Sequence, residues 1–155
     1  MKKLALLILL MMIFQSSVFS RPVVFNDDGK FGLKDENGNI VVKAEYKKLI
    51  RLGESGWIIQ KGSKFGIMND EGKILVEPKY NRADRVLGKF AKLTKGEKNG
   101  LFDEKGFVIL PPEYSSIDLL FGGMFLTCKN YKYGVTDFNG QPILDNIFDD
   151  IYMPK

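Results

Sequence analysis

The strongest constraint on this chain is a signal that returns every 34 residues. Lys30-Phe31-Gly32-Leu33 recurs as Lys64-Phe65-Gly66-Ile67, Lys98-Asn99-Gly100-Leu101 and Lys132-Tyr133-Gly134-Val135. A second glycine follows each first one at the same interval, at Gly38, Gly72, Gly106 and Gly140. A ring keeps the same step at Tyr46, Tyr80, Tyr114 and Phe148. A period held without slippage means that one supersecondary unit is repeated and stacked upon itself.

Each unit reads as four short strands. In the first, residues 31–34 form strand A, Asp35-Glu36-Asn37-Gly38 a turn, and 40–42 strand B. An Asn-Gly centre supplies the positive φ that a tight hairpin needs. Strand C follows at 49–52, then a glycine-bearing turn at 53–56, then strand D at 57–60. Pro78, Pro111 and Pro112 fall just before the ring. Proline cannot donate to a ladder, so it is expected to close strand B and re-aim the chain. Along strand D, Val23, Trp57, Ala91 and Phe125 lie two residues from Phe25, Ile59, Leu93 and Thr127. This alternation puts one face on a core and leaves the other nearer solvent. The rings at 46, 80, 114 and 148, with Phe31, Phe65 and Tyr133, are expected to stack unit on unit. No window has helical periodicity, and the glycine-rich hairpins exclude the two-helix repeats that share this period.

The expected fold is therefore all-β. Four tandem units lie near 30–63, 64–97, 98–131 and 132–155, with a lone strand at 23–26 and residues 21–155 as one domain. The units are expected to form an open, solenoid-like stack in which strand D bridges from one unit to the next. The alternative is a small closed β-propeller whose termini pair to complete one mixed blade. The open stack is preferred because a blade usually takes ~40 residues or more.

At Lys30-Phe31-Gly32-Leu33, Gly38 and Tyr46, and at their three echoes, the chain resembles the WG-repeat family of bacterial proteins. The stretch from Lys64 to Tyr80 matches that pattern best, with Pro78 just before its ring. Departures are Asn99 at an aromatic position and the absence of a proline just before the ring in the first and last units. The resemblance implies an all-β repeat protein, commonly exported, and carries over no catalytic residue and no cofactor.

Export is also expected from the N-terminus. Lys2 and Lys3 precede an unbroken apolar run over residues 4–14, and small residues lead to Ser20. That is the pattern of a secretory signal peptide over residues 1–20, cut after Ser20. Eleven residues of helix span only ~17 Å against a hydrocarbon core of ~30 Å, so no stable membrane insertion is expected after cleavage. The expected location is secreted or periplasmic.

Removing Lys2 and Lys3 halves the net charge of +4, and +2 is too mild a balance to argue for nucleic acid. A local excess runs from Lys79 to Lys98 and contains Arg82, Arg85, Lys89 and Lys92. Those four, with Tyr131, are the candidate partner contacts. A protein or an anionic envelope polymer is the expected partner class.

The chain has no histidine and one cysteine. Histidine-assisted nucleophiles, histidine zinc sites and an internal disulfide are therefore excluded. Cys128 occupies a position that is polar in the other units, Asn26, Gln60 and Thr94, which points to partial exposure. Asp35-Glu36-Asn37-Gly38 and Asn26-Asp27-Asp28-Gly29 lack the alternate oxygen ligands and later bidentate Glu of a calcium loop, so they read as turns. Trp57 and Tyr131 are the rings that could stack on a sugar. Paired carboxylates could still hydrolyse glycan without histidine. Glu113, Asp118, Asp149 and Asp150 are the candidates, and that hydrolase is the rival reading. The preferred one is a non-enzymatic binding scaffold, without metal or cofactor, whose partner meets the strand C–strand D turns where the units differ most.

Overall fold

A computed structural model describes residues 21–152; the expected signal peptide at 1–20 lies outside the described residues. Fifteen strands form four antiparallel sheets. β1 (Val23–Asp27), β2 (Lys30–Lys34) and β3 (Ile40–Tyr46) make the first, which has three strands. β4 (Lys48–Leu52), β5 (Gly56–Lys61), β6 (Lys64–Asn69) and β7 (Ile74–Tyr80) make the second. β8 (Arg82–Val86), β9 (Phe90–Lys95), β10 (Lys98–Asp103) and β11 (Val108–Tyr114) make the third. β12 (Ser116–Leu120), β13 (Met124–Lys129), β14 (Lys132–Asp137) and β15 (Pro142–Phe148) make the fourth. No helix among these residues is long and apolar enough to cross a membrane.

The fold is all-β and open, as expected, but the sheet boundary falls elsewhere than the unit boundary. Each four-stranded sheet is a meander in the order C, D, A, B, and the first sheet holds D, A and B. Strand D pairs along its whole length with the strand A that follows it, as Trp57↔Met68 through Lys61↔Lys64. The step between sheets is instead the single residue between B and C. Lys47, Asn81 and Ser115 make it, and their N–H groups donate to the carbonyls of Gln60, Thr94 and Cys128 at 2.7–2.8 Å. One 34-residue unit thus gives its A–B hairpin to one sheet and its C–D hairpin to the next. Strand D bridges one unit to the next, as expected, by pairing with strand C of its own unit and strand A of the following one.

The sheets pack face to face, with a core in each of the three gaps. Leu33, Val42 and Tyr46 of the first sheet meet Trp57, Ile59 and Met68 of the second. Ile58, Ile67, Val76 and Tyr80, on the second sheet's other face, meet Ala91, Leu93 and Phe102 of the third. Leu101 and Leu110 then meet Ile117 and Phe125 of the fourth. Alternate strand residues point to opposite faces, so β5 is buried on both sides. The expectation of one core face and one wet face fails for the inner sheets. Cys128 is likewise buried, not partly exposed.

The signature glycines have two different reasons. Phe65 pairs with Tyr80 and Ile67 with Val76, so Gly66 alone opposes the bulged Glu77-Pro78-Lys79. A Cβ on Gly66 would lie 2.3 Å from the Val76 carbonyl oxygen, which only glycine avoids. The bulge interrupts the ladder, so Pro78 sits inside β7 without a lost bond instead of ending it. Pro111 and Pro112 do the same within β11. The second glycine does lie at positive φ, 80–85° in all four units. Ahead of it, Oδ1 of Asp35, Asn69, Asp103 or Asp137 accepts two backbone N–H bonds, from residues two and four further on. The Asn39 side chain also donates to Asp35, and that bond foremost holds its carboxyl below the usual range.

The rings at 46, 80, 114 and 148 do not stack on one another as expected. Tyr46, Tyr80 and Tyr114 each sit in a separate inter-sheet layer, Phe148 lies on the outer face of the fourth sheet, and Tyr80 meets Phe102 edge-on at 5.6 Å. Burial raises the phenol pKa of Tyr46 and of Tyr80. Asn99, the odd residue at the aromatic position, is buried and accepts from Thr94 Oγ1 at 2.8 Å while donating to the Ser115 carbonyl at 2.9 Å.

Candidate functional site

The hairpin topology gives every sheet two rims. The C–D and A–B turns share one, and the D–A turns and B–C links share the other. The candidate contacts are divided between them. Lys89 lies at the C–D turn of the third sheet, while Arg82 and Tyr131 lie at the opposite rim. Arg82 is ion-paired with Asp84 at 3.2 Å. Arg85 donates to the Arg51 carbonyl at 3.1 Å. Lys92 is half-buried and donates to the Ile117 carbonyl at 3.3 Å, tying the third sheet to the fourth. The structure does not bring these five residues into one patch.

Of the two rings that could stack on a sugar, Trp57 is unavailable. It is buried, its Nε1–H donates to Asp70 at 2.7 Å, and the Arg51 guanidinium lies 4.8 Å from its ring centre. Arg51 in turn grips both oxygens of the buried Asp70 carboxylate. Tyr131 is 92% exposed and sits at φ 62°, after Asn130 at φ 53°. The turn is two residues long, since Lys129 pairs with Lys132, and it needs both residues left-handed. A bulky residue there is strained, and strain of this kind gathers where a side chain is held for use.

The rival carboxylates are taken up separately. Lys129 pairs with Glu113, and that bond raises the lysine's pKa. Lys132 pairs with Asp149. Asp150 accepts from the Ile151 N–H at 2.8 Å, and Asp118 lies on β12 opposite Leu126. Among the described residues no group of three or more Cys, Asp and Glu could hold a metal ion.

A concave site does exist at the C–D rim. A groove of about 450 Å³ is bordered by Glu54, Lys89, Glu104, Lys105, Ile109 and Phe138. A smaller one of about 200 Å³ holds Ser55, Asp70, Glu71 and Leu75, with Glu104 and Lys105 again on its border. The position that shapes both is the one after the turn-bracing Asp or Asn: Glu36, Asp70, Glu104 and Phe138. Asp70 folds under its own sheet. Glu104 reaches to the preceding sheet and accepts the Glu54 N–H, and any side chain on Gly53 would overlap its carboxylate. Phe138 packs on Phe90 at 5.8 Å and Phe125 at 5.5 Å. The Lys89 ammonium stands 5.1 Å from the centres of both Phe90 and Phe138, a geometry that favours cation–π attraction. Two exposed apolar residues flank this rim at the C–D turns, Leu87 and Phe121.

Sequence reading found Lys89 and the C–D turns, Leu87 and Phe121 among their residues, but missed Glu104 and Phe138. The available signal was the change of residue at 36, 70, 104 and 138, which looked like turn filler.

No curated protein and no solved structure matches the chain. The family model described as WG containing repeat matches residues 31–61, 65–98 and 100–133. Each match starts in strand A and takes in B, C and D, the half-sheet offset seen in the fold. With more than half of the chain matched and the same frame built four times over, this chain belongs to the WG containing repeat family.

Proposed function

We propose that this chain is an exported, non-enzymatic scaffold that binds a protein or an envelope polymer at the C–D rim of its second to fourth sheets. The observation that carries this is the groove bounded by Lys89, Glu104 and Phe138. Its residues are the ones that break the repeat. The signature glycines, the Asx braces and the rings all have structural duties, whereas Lys89, Lys105, Leu87 and Phe121 are exposed. An apolar floor with opposed charges on its border suits an extended segment carrying one anchor side chain and a few polar groups. In a repeat array such positions vary while the frame stays fixed.

The test is retention from envelope extract on immobilised protein, run beside Lys89→Glu and Phe138→Ala. Specific retention by the parent, reduced at least tenfold in both variants with their melting cooperative, is the expected result. Equal retention by all three would remove the groove from the argument. Turnover of a broad glycan panel, abolished by Glu113→Gln or Asp118→Asn, would replace this reading with the hydrolase.

A further inference from the structure

The three inner gaps are built alike, and the two outer faces are the unmatched halves of a fourth gap. The forward side of each gap uses positions 58/67/76/80, and the receiving side uses 57/59/68 of the next sheet. On the fourth sheet the forward positions are Leu126, Val135, Leu144 and Phe148; Val135 is buried and Leu126 half-buried, but Leu144 is 42% exposed. Tyr46 and Tyr80 are each 4% exposed, but Phe148, in register with them, is 38% exposed. On the first sheet the receiving positions are Val23, Phe25 and Lys34. Val23 is 60% exposed where Trp57 and Phe125 are buried, and Lys34 merely covers the Phe25 ring from 4.5 Å.

The second glycine gives an independent sign. A Cβ on Gly72 would lie 2.9 Å from Val42 Cγ2, one on Gly106 2.8 Å from Leu75 Cβ, and one on Gly140 2.1 Å from the Ile109 oxygen. Each therefore presses on strand B of the sheet before it. Gly38 has no atom within 4 Å. Ile143, in register with Leu75 and Ile109, is exposed and has no glycine upon it.

Strand count gives a third. Among the described residues the first sheet holds D, A and B but no C. Residues 150–152, in register with the starts of β4, β8 and β12, pair with no strand among the described residues. Ile151 is half-buried at the position of Leu49, Ala83 and Ile117, all of which turn onto the preceding sheet.

We propose that a second copy of this chain docks head to tail, its first sheet on the fourth sheet of the other copy. Residues 150–152 add in the place of strand C to the partner's β1, giving that sheet a fourth strand by strand addition. Phe25 and Val23 of one copy enter the layer of Val135, Leu144 and Phe148 of the other, and Gly38 lands on Ile143. The register is that of the inner sheets, where Lys48 pairs with Gln60 and Leu49 with Ile59. It places Asp150 opposite Asn26 and Ile151 opposite Phe25. The contact is heterologous, so it propagates into a filament or closes into a ring of several copies.

Two measurements test this on the purified chain. Solution mass by light scattering should at least double as concentration is raised. Ile143→Arg and Val23→Arg, both at exposed positions, should each hold the mass at one chain while melting as cooperatively as the parent. In a Cys128→Ser background, Asn26→Cys and Asp150→Cys chains should form a disulfide-linked pair when mixed under mild oxidant, and neither should do so alone. Opposed residues of an antiparallel pair lie close enough for that bond. A single-chain mass at every concentration overturns the proposal, as does equal cross-linking by either variant alone. Closure of the doubly substituted Asn26→Cys/Asp150→Cys chain on itself, at the mass of one chain, overturns it too. Because none of these residues lines the C–D groove, failure here leaves the binding reading untouched.

Discussion

The second and fourth sheets share one strand order and one repeat pattern, yet one is buried on both faces and the other on one. Val76 is buried and Leu144 exposed, though both occupy the same place in strand B. Pattern alone therefore does not make a core. A strand face is stabilised only by what is laid on it, and the value of a given apolar residue is set by its sheet's place in the stack. Burial of a large apolar side chain contributes about 1.5–3 kcal/mol, so inner and outer copies of one position should differ by that order.

The largest expected effect breaks the comparison at the ring. Tyr80→Ala empties an inter-sheet layer and should cost about 3–4 kcal/mol in denaturant unfolding. Phe148→Ala should cost about 1 kcal/mol in dilute solution, because much of the ring is already wet. Equal costs would mean that the fourth sheet's outer face is covered in the folded chain.

Next comes the brace in the second sheet, which the fourth lacks. Asp70→Ala leaves the Trp57 N–H and a partly buried Arg51 without their acceptor. The loss should be about 2–3 kcal/mol, with a change in tryptophan fluorescence reporting the freed indole. Asp70→Asn should recover part of it.

The glycine pair sharpens the comparison further. Gly38→Ala and Gly106→Ala both place alanine at φ near 80°, a strain of about 1–2 kcal/mol. Only Gly106→Ala also drives a methyl into Leu75, and the overlap should add about 1–3 kcal/mol. Indistinguishable melting of the two variants would show that the gap yields without cost.

The smallest effect is the pH dependence of the solvent-facing groups. Hydrogen bonds from Asn39 to Asp35, and from Lys61 to Glu45, hold both carboxyls below their usual values in the folded chain. Their contribution is present above the unfolded pKa values and is lost as pH falls through the folded ones, from about pH 5 downward. Glu45 also raises the Lys61 pKa, so that pair's contribution fades as pH rises through the lysine's value. Melting temperature should fall on both limbs, and Asp35→Ala should flatten the acid one.

The period, the strand class and the hairpins were legible because each depends on local chemistry: glycine at φ near 80°, Asx braces, short β-branched runs. The sheet boundary was not. Unit boundaries are visible as glycines, but the step between sheets is one residue, Lys47, Asn81 or Ser115, with neither glycine nor proline to mark it. Proline misled in the same way, since Pro78 reads as a strand end unless the bulge opposite Gly66 is known. The groove was half legible. Lys89 stood out by charge, but Glu104 and Phe138 matter through the neighbouring sheet they lean on, which no local window contains.

Those one-residue steps have a mechanical consequence. With their N–H groups bonded to the strand D carbonyls of the sheet they enter, Lys47, Asn81 and Ser115 leave no joint about which one sheet can swing against the next. The chain should transmit a push or a twist along the stack instead of absorbing it. Grooves on neighbouring sheets then stand at a fixed spacing, like teeth cut on one bar. A ligand long enough to touch two of them meets the second without any entropy spent on closing a hinge.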